Sequence, residues 1–520
     1  MFPEKTISDY LAGCAQRRPS HLAYAYDQLE QTWGELDRRV DRMARALQRR
    51  GIGRGDVVAV CCHDGPVLVE TLFAIARLGA IRVGINYRYS PPEVAQLLEH
   101  CSAKLLVMQD SLAELAPAQG GPGRVSCGDA QRDFGEFGRW VDAESDEPFA
   151  GLAREDDVAQ ICYTTGSTGA PKGAVWTHRA LSHAMAHTLL DLGFTAGDVW
   201  LHCLPGAGVP SVLAAWNAVI GFTNVIQKSF DPLSALRAIE KYRVTRTVWV
   251  PTMLAAVCQV AEGGSFEVGS LRRISYGSAP TPPALIRRAL KAFKGARFVQ
   301  WYGSTEGCGG WYTQLTPEDH DRALAGEESL LESCGKPMHH AEVQVVDEAG
   351  AVVPVGTIGE VCVRGAFVMS GYLDQPELSA RTLADGWLHT GDMGRFDAEG
   401  FLYLVDRKQF MIITGGYNVY PVEVENALAA HPDVGEVCVF GVPDERWGEA
   451  VQALVVPRPG RSIDAEALRQ WARTPLAAFK VPKSVVVCES LLRGPTGKIQ
   501  KRAIRDRFVA EMRAAGEGAK

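Results

Sequence analysis

Hydrophobic residues in the first half of the chain alternate between helical and strand spacing. From Leu36 to Arg50 apolar residues recur at helical spacing, and Val57–Val60 then has the pattern of a short buried strand after the turn Gly51–Gly55. The same helix-then-strand order recurs three times: Leu68–Leu78 with Ile81–Ile85, Pro92–His100 with Leu105–Met108, and Leu233–Tyr242 with Thr247–Val250. This order predicts an α/β fold of parallel-type sheets wrapped by helices.

The pattern changes after Cys334. Three short β-rich runs, 341–346, 359–364 and 401–404, are separated by turn residues and predict a β-barrel-like subdomain. A compact α+β unit follows, with helices over 421–430 and 464–474 and strands over 435–442 and 450–456. Because 520 residues exceed what one core usually holds, we predict a large N-terminal domain over 1–405 and a small C-terminal domain over 411–520, with a boundary near 406–415.

Composition excludes several classes of protein. With 46% hydrophobic and 22% charged residues the chain has the composition of a globular protein. The formal net charge of -7 provides no basic field for nucleic acid. The first residues, Met1–Lys5, lack the basic and apolar stretches of a secretory signal, and the apolar stretch Val212–Ile226 is too short and too interrupted to span a bilayer. We therefore expect a cytoplasmic protein with no membrane span and no nucleic-acid partner.

Cysteine and histidine give no metal pattern. The 13 cysteines are scattered and never spaced as Cys-x-x-Cys, which predicts reduced, mostly buried thiols. The histidines include the pair His339–His340 and the series His178, His183 and His187, but no His-Glu-x-x-His pattern accompanies them. We do not expect them to bind a metal.

The strongest local signal is a glycine- and hydroxyl-rich loop at 163–173, Tyr-Thr-Thr-Gly-Ser-Thr-Gly-Ala-Pro-Lys-Gly, which leads to a predicted helix over 180–190. Glycines allow close approach of the backbone to an anion, and hydroxyls with one lysine complete a polyphosphate site. It differs from the P-loop of ATPases because Gly173 stands where a hydroxyl would bind magnesium. The loop predicts nucleotide binding; a flexible polar loop is the alternative.

Six motifs occur together in one order and carry a family resemblance. They are the loop at 163–173, Tyr302–Gly307 (Tyr-Gly-Ser-Thr-Glu-Gly), Gly371–Tyr372, Thr390–Asp392 (Thr-Gly-Asp), Asp406–Arg407 and Pro495–Lys498 (Pro-Thr-Gly-Lys). In this set and order the chain resembles, over nearly its whole length, the adenylate-forming superfamily of acyl-CoA synthetases, luciferases and peptide-synthetase adenylation domains, and is most similar to the acyl-CoA synthetases.

The resemblance implies an ATP-dependent reaction in which a small organic carboxylate attacks the α-phosphate, forming acyl-AMP and pyrophosphate. Charge that develops on phosphorus must be met by cations and oriented donors. The implied catalytic residues are Lys498, which bridges the carboxylate and the α-phosphate, Thr305, which contacts the α-phosphate, and Glu306, which binds Mg²⁺. The alternatives are a solvated charge for Glu306 and an ordinary basic face for Lys498, beside Lys501, Arg502 and Arg505.

The resemblance also implies a nucleotide-binding set. Tyr302 would stack on adenine, Asp392 would accept hydrogen bonds from the ribose hydroxyls, and Arg407 would bind ribose or phosphate. The full set is Thr165, Gly166, Ser167, Thr168, Gly169, Lys172, Gly277, Ser278, Ala279, Tyr302, Gly303, Ser304, Asp392 and Arg407. A core tyrosine, a turn-forming aspartate and a surface ion pair are the respective alternatives for the three side chains.

The second half-reaction implied by the resemblance is transfer of the acyl group to the thiol of coenzyme A. The resemblance also implies that the C-terminal domain rotates about a hinge over 406–410 before this transfer. Gly415–Asn418 and Phe479–Lys483 would then face coenzyme A. Trp249, Trp301 and Trp311, with Gly277–Ala279, either line the acid pocket or belong to the core.

Three departures from the family pattern lie on the acceptor side. Leu204–Gly208 (Leu-Pro-Gly-Ala-Gly) has small residues where the family has a histidine or an aromatic residue. Gln409 stands at the hinge where Asp or Lys is typical, and Tyr417 replaces a common glutamate. Two other hypotheses stay open: an adenylating enzyme whose acceptor is an amine or a carrier-protein pantetheine, and a nucleotide-binding protein without catalysis.

Overall fold

The computed structural model describes residues 5–117, 120–129, 135–164, 172–415, 417–444, 446–494 and 499–517. The predicted phosphate-binding residues Thr165–Gly169 and the predicted catalytic Lys498 lie outside these ranges. The chain divides into two compact units. The first comprises Met1–Val343, Cys362–His389 and Gly400–Leu402; the second comprises Gln344–Val361, Thr390–Glu399 and Tyr403–Lys520.

The first unit contains a nine-stranded sheet with a parallel centre. In spatial order its strands are Lys336–Pro337, Thr313–Leu315, Arg297–Tyr302, Arg273–Gly277, Arg246–Trp249, Val199–His202, Thr223–Ile226, Leu22–Tyr26 and Leu29–Thr32. The six strands from Arg297–Tyr302 to Leu22–Tyr26 run parallel, and the remaining three pair antiparallel at the two edges. The carboxyl ends of the six parallel strands therefore meet at one edge of the sheet.

The first unit also contains a seven-stranded sheet. In spatial order its strands are Gly371–Tyr372, Lys172–Thr177, Val158–Thr164, Ile81–Gly84, Val57–Cys61, Leu105–Gln109 and Gly123–Cys127. The strand Lys172–Thr177 pairs antiparallel with Val158–Thr164, so a strand separates the glycine-rich loop from the helix that follows. The helix predicted over 180–190 is found at His178–Asp191, whereas the strand Lys172–Thr177 was not predicted, because its alternation is too short to stand out.

Helices surround both sheets of this unit. The α-helices are Ile7–Arg17, Trp33–Arg49, Pro66–Leu78, Pro91–His100, Gly135–Asp142, His178–Asp191, Val209–Leu213, Asn217–Ile220, Pro232–Tyr242, Pro251–Gly263, Pro283–Ala292, Pro317–Leu324 and Pro376–Thr382. Short 3₁₀ turns cover Asp110–Leu115, Thr305–Gly307, Glu328–Glu332 and Ala384–Gly386. Local signals set the ends: Thr32 caps Trp33–Arg49 in a capping box with Glu35, and Gly79 ends Pro66–Leu78 in the left-handed conformation.

The second unit has a β-rich part and an α+β part. A four-stranded sheet, most of which falls in this unit, has the order Glu342–Val346, Gly359–Arg364, Leu388–Phe396 and Leu402–Arg407. A five-stranded sheet follows, with the order Tyr417–Val419, Ile412–Thr414, Gly448–Pro457 and Val434–Asp444, and with Ser484–Val487 paired to Gly448–Pro457. The helices are Pro421–Ala429, Ala465–Trp471 and Lys501–Glu517, with a 3₁₀ turn at Lys408–Phe410.

The predicted α/β class is confirmed, with parallel-sheet layers in the first unit and a smaller C-terminal α+β part. The apolar stretch at 212–226 forms short helices and an inner strand of the nine-stranded sheet. Among the described helices, none is long and apolar enough to cross a membrane. All 13 cysteines lie in the described ranges as free thiols, and only Cys488 is not fully buried.

Candidate active site

Two loops lie side by side at the carboxyl edge of the nine-stranded sheet. Gly277 and Tyr302 end adjacent parallel strands, and Gly277 pairs in register with Trp301. Gly277 is buried, and a side chain there would collide with the carbonyl oxygen of Trp301. The next residues, Ser278 and Ala279, are exposed, and Ser278 has a positive φ of 67°. Ligands of α/β proteins commonly bind at such an edge, and a glycine lets the two loops approach each other closely.

The predicted magnesium ligand Glu306 is held by its neighbours. It lies in the 3₁₀ turn Thr305–Gly307, directly after the loop that follows Tyr302. The hydroxyl of Tyr372 donates to Glu306 Oε1 at 2.6 Å, and the amide of Met369 donates to the Glu306 carbonyl at 2.8 Å. Glu306 and Thr305 are both half-buried. The carboxylate therefore has a fixed position beside the strand ends.

Tyr302 and the residues after it pack against Tyr312. Tyr302 is 8% exposed, and its ring meets the Tyr312 ring edge-on with centroids 5.4 Å apart. Ser304 Oγ and the Tyr312 hydroxyl lie 2.7 Å apart in a hydrogen bond. A side chain at Gly303 would contact the Gly310 carbonyl oxygen at 2.9 Å. Tyr302 is thus a buried side chain that packs against Tyr312 and lies at the carboxyl end of its strand.

The flanks of the glycine-rich loop are tied to the Glu306 turn. Thr164 and Lys172, which bracket the loop, are directly paired across two antiparallel strands. The short strand Gly371–Tyr372 pairs with Ala174–Val175 on the outer side of Lys172–Thr177. Tyr372 therefore connects the strand that begins with Lys172 to the carboxylate of Glu306. Gly371–Tyr372 is one of the six sequence motifs, but the sequence alone indicates no role for it, because the residue that Tyr372 contacts is far away in the chain.

Asp392 and Arg407 lie together in the second unit. Arg407 Nε and Asp392 Oδ1 form an ion pair at 2.6 Å. The Asp392 amide donates to Thr390 Oγ1 at 3.1 Å, and the Asp392 side chain is nearly buried. Asp406 accepts from the amides of Arg407 at 2.6 Å and Val422 at 2.9 Å. Three residues from two of the sequence motifs thus form one cluster.

An aromatic and cationic surface lies elsewhere in the second unit; we call it the Trp447 surface. Tyr417, 60% exposed, stacks on Phe479 with ring centroids 4.7 Å apart. The ammonium of Lys483 lies 4.9 Å from the Trp447 ring, and the Gly415 amide donates to the Trp447 carbonyl at 2.8 Å. Tyr417, Phe479, Lys483 and Gly415 lie in the predicted segments 415–418 and 479–483. Trp447 was not predicted, because its only signal in the sequence is a tryptophan among charged residues.

His183, His187 and His340 lie close together in the first unit. The rings of His183 and His187 stack with centroids 5.5 Å apart, and His340 lies 5.7 Å from His187. Burial, and then repulsion from neighbouring charged groups, lowers the pKa of His183 and His187. No group of three or more His, Cys, Asp or Glu that could hold a metal ion occurs in the described part of the chain.

The tryptophans considered for the acid pocket are largely core residues. Trp249 and Trp301 are buried, and Trp311 is nearly so. Trp301 packs against Trp216 and Trp311, with ring centroids 5.9 and 5.0 Å away. Trp249 packs on Phe293 at 5.5 Å.

The donor set near Glu306 fits magnesium. The side chains of Ser304, Thr305 and Glu306 offer oxygen atoms, and Mg²⁺ is usually bound by one or two carboxylates together with phosphate oxygens of a substrate. A single fixed carboxylate near the strands that flank the glycine-rich loop is therefore suitable for binding Mg²⁺.

Comparisons with known proteins cover almost the whole chain. Residues 11–373 match the family model of the AMP-binding enzyme, and residues 423–498 match that of the AMP-binding enzyme C-terminal domain. A feruloyl-CoA synthase of Amycolatopsis sp is 38% identical over 498 residues, 95% of this chain and 97% of that protein. The solved amide bond synthetase McbA from Marinactinospora thermotolerans is 31% identical with a TM-score of 0.86, covering 97% of this chain and 100% of its own. The o-succinylbenzoate CoA synthetase from Bacillus subtilis, solved with an acyl-adenylate intermediate, is 29% identical with a TM-score of 0.85. The match covers 97% of this chain and 99% of that protein.

Proposed function

The chain belongs to the AMP-binding enzyme family and is an ATP-using, adenylate-forming ligase of small carboxylates, and from that premise we propose that it is a magnesium-dependent acid:CoA ligase. The family resemblance carried by the six ordered motifs is thereby confirmed. The observation that carries the proposal is the fixed carboxylate of Glu306 beside the strands that flank the glycine-rich loop.

In the first half-reaction a carboxylate oxygen of the acid attacks the α-phosphorus of ATP. The bond from that phosphorus to the bridging oxygen of pyrophosphate breaks, and pyrophosphate leaves with the electron pair. Lys172 and the loop residues Thr165–Gly169 would bind the leaving phosphates, and the Thr305 hydroxyl would contact the α-phosphate. Lys498 would bridge the attacking carboxylate and the α-phosphate. Glu306 would hold Mg²⁺, which supplies positive charge to the phosphate oxygens.

The nucleotide would lie along the strand-end loops. Gly277–Ala279 presents backbone at the sheet edge, Gly303 and Ser304 continue the adjacent loop, and Tyr302 supplies an aromatic ring for adenine. Asp392 would accept hydrogen bonds from the ribose hydroxyls. Its ion pair with Arg407 holds the guanidinium beside the Asp392 carboxylate.

In the second half-reaction the thiol sulfur of coenzyme A attacks the acyl carbon of acyl-AMP, AMP leaves, and the thiol proton passes to solvent. We propose that residues 406–410 are the hinge between the half-reactions. The Trp447 surface supports coenzyme A as the acceptor, because aromatic faces stack on adenine and lysine binds phosphate. The named relatives support an acid with an aromatic ring.

A second candidate is amide formation from the same acyl-AMP. The likeness to an amide bond synthetase favours it, as do the unusual Gln409 and Tyr417. The two candidates differ only in the acceptor, so they predict the same first half-reaction.

The test has two stages. Acid-dependent exchange of pyrophosphate into ATP is measured over aryl, short-chain and medium-chain acids for the wild type, Glu306→Gln and the exposed control Glu332→Gln. We expect exchange with an aryl acid, loss of most of it in Glu306→Gln, and wild-type exchange in Glu332→Gln. Exchange in Glu306→Gln equal to wild type would remove the assigned role of that carboxylate. Coenzyme A and simple amines are then added in parallel: thioester supports the ligase, and amide without thioester supports the second candidate.

A further inference from the structure

Two buried ionisable side chains, Asp64 and Arg82, hold the backbone of Gly206 from both sides. Asp64 Oδ1 accepts the Gly206 amide at 2.7 Å, and Arg82 Nη2 donates to the Gly206 carbonyl at 3.3 Å. Arg82 Nη1 also donates to Gln160 Oε1 at 3.0 Å. Asp64 and Arg82 are each only 2% exposed. Both polar groups of one peptide residue are therefore bound by side chains from elsewhere in the fold.

Gly206 belongs to the segment Leu204–Gly208, which rests directly on the seven-stranded sheet. A side chain at Gly84, in the strand that carries Arg82, would collide with the Ala207 carbonyl oxygen. A side chain at Gly206 would meet Asp64 Oδ1 at 2.6 Å. The close approach of the segment to the sheet thus requires a glycine at position 84, and its contact with Asp64 leaves no room for a side chain at position 206.

The same segment lies beside the candidate active site. A side chain at Gly208 would contact Cys162 Sγ at 3.6 Å, and Cys162 lies just before the glycine-rich loop. On the other side, a side chain at Gly309 would contact Val209 Cγ1 at 3.5 Å, and Gly309 closely follows the Glu306 turn. The segment therefore lies between the strand that enters the glycine-rich loop and the turn that carries the predicted magnesium ligand.

Asp64 and Arg82 are incompletely hydrogen-bonded for buried side chains. The described hydrogen bonds of Arg82 go to neutral oxygens, and neither Arg82 Nε nor Asp64 Oδ2 has a hydrogen-bond partner among the described residues. Burial raises the pKa of Asp64 to about 8, so at neutral pH most of its carboxyl is protonated and does not neutralise the guanidinium. Apolar side chains of the same volume often serve stability as well or better at such positions. Asp64 and Arg82 instead fix the position of the Gly206 backbone.

We propose that Asp64 and Arg82 are positioning residues that clamp Gly206 and thereby set which acids the enzyme accepts. The clamp fixes the path of Leu204–Gly208 and the start of the helix Val209–Leu213, where Ser211 Oγ donates to the Gly208 carbonyl at 2.7 Å. This segment and the start of the helix lie between the strand Val158–Thr164 and the Glu306 turn, where on the proposed function the acid carboxylate would meet the α-phosphate. The inference rests on the proposed adenylation.

The test compares Arg82→Gln, Arg82→Met and Asp64→Ala with the wild type and the control Arg179→Gln, whose guanidinium pairs with Glu155 and Asp156 at the surface. In pyrophosphate exchange over the acid panel, we expect the KM for the preferred acid to rise about tenfold and the preference among acids to flatten, while the KM for ATP stays within about twofold. Hydrogen exchange of peptides covering 203–209 should be faster in the three variants than in the control.

Unchanged acid preference in folded variants, or an equal rise in the KM for ATP, would overturn the proposal. Loss of folded protein in all three variants would also contradict the proposal, because Asp64 and Arg82 are proposed to position Leu204–Gly208 and not to stabilise the whole fold. If the wild type adenylates no acid, the proposed function fails, and hydrogen exchange at 203–209 still decides whether the clamp exists.

Discussion

Replacing Tyr372 with phenylalanine removes one hydroxyl and leaves the ring in place. That hydroxyl donates to Glu306 Oε1 at 2.6 Å, a short bond to a carboxylate. A hydrogen bond to a charged group contributes about 1.5–3 kcal/mol. If the bond fixes the carboxylate for Mg²⁺ and ATP, its loss reduces kcat/KM for adenylation roughly 10- to 150-fold. The same loss should raise the Mg²⁺ concentration needed for half-maximal rate.

The assay is pyrophosphate exchange across a Mg²⁺ titration, together with the affinity for Mn²⁺·ATP measured by electron paramagnetic resonance. Tyr242→Phe is the matched control, because its hydroxyl donates at 2.7 Å to the exposed carbonyl of Asp27, outside the predicted site. We expect weaker metal-nucleotide binding in Tyr372→Phe only. A Tyr372→Phe enzyme with wild-type exchange and wild-type Mg²⁺ dependence would refute the positioning of Glu306 by this bond.

Three further outcomes are expected. Burial raises the pKa of Asp64 to about 8, so the folded protein holds a proton that unfolding releases, and the melting temperature should fall from pH 6 to pH 9. The Asp64→Asn variant, which cannot ionise at this position, should show a smaller fall. Equal falls in melting temperature would contradict the raised pKa of Asp64. Gln409→Pro fixes φ in the turn Lys408–Phe410 and should leave pyrophosphate exchange while abolishing thioester formation, whereas full thioester formation would argue against a hinge there. Trp447→Ala should raise the KM for coenzyme A about tenfold relative to the KM for ATP, and an unchanged ratio would remove this surface from the acceptor site.

Local periodicity predicted much of the fold. The helix found at Trp33–Arg49 and the strand at Val57–Cys61 match the predicted 36–50 and 57–60 closely, because both depend on nearby apolar spacing and on the turn between them. The helices Pro251–Gly263 and Pro283–Ala292 were not predicted, although a proline at each first position was an available signal. The two helices pack against each other, and the first also packs against the nine-stranded sheet, so the buried side of each depends on contacts that local spacing does not reveal.

The candidate site was predictable where motifs are continuous and not where contacts are long-range. The strand ends at Gly277 and Tyr302 become neighbours only through parallel pairing. The bond from Tyr372 to Glu306 joins residues 66 positions apart, and no local pattern predicts it. Arg82 even contradicts its strand pattern, because a buried arginine is explained only once Gly206 and Gln160 are placed beside it.

The most direct test of adenylation followed by thioester formation is one product measurement. The wild-type enzyme is incubated with ATP, Mg²⁺ and an aryl acid, with and without coenzyme A, and AMP and acyl-CoA are quantified together by mass spectrometry. The proposed function predicts acid-dependent AMP and, only with coenzyme A, an equal amount of thioester. Absence of acid-dependent AMP across the acid panel would contradict it.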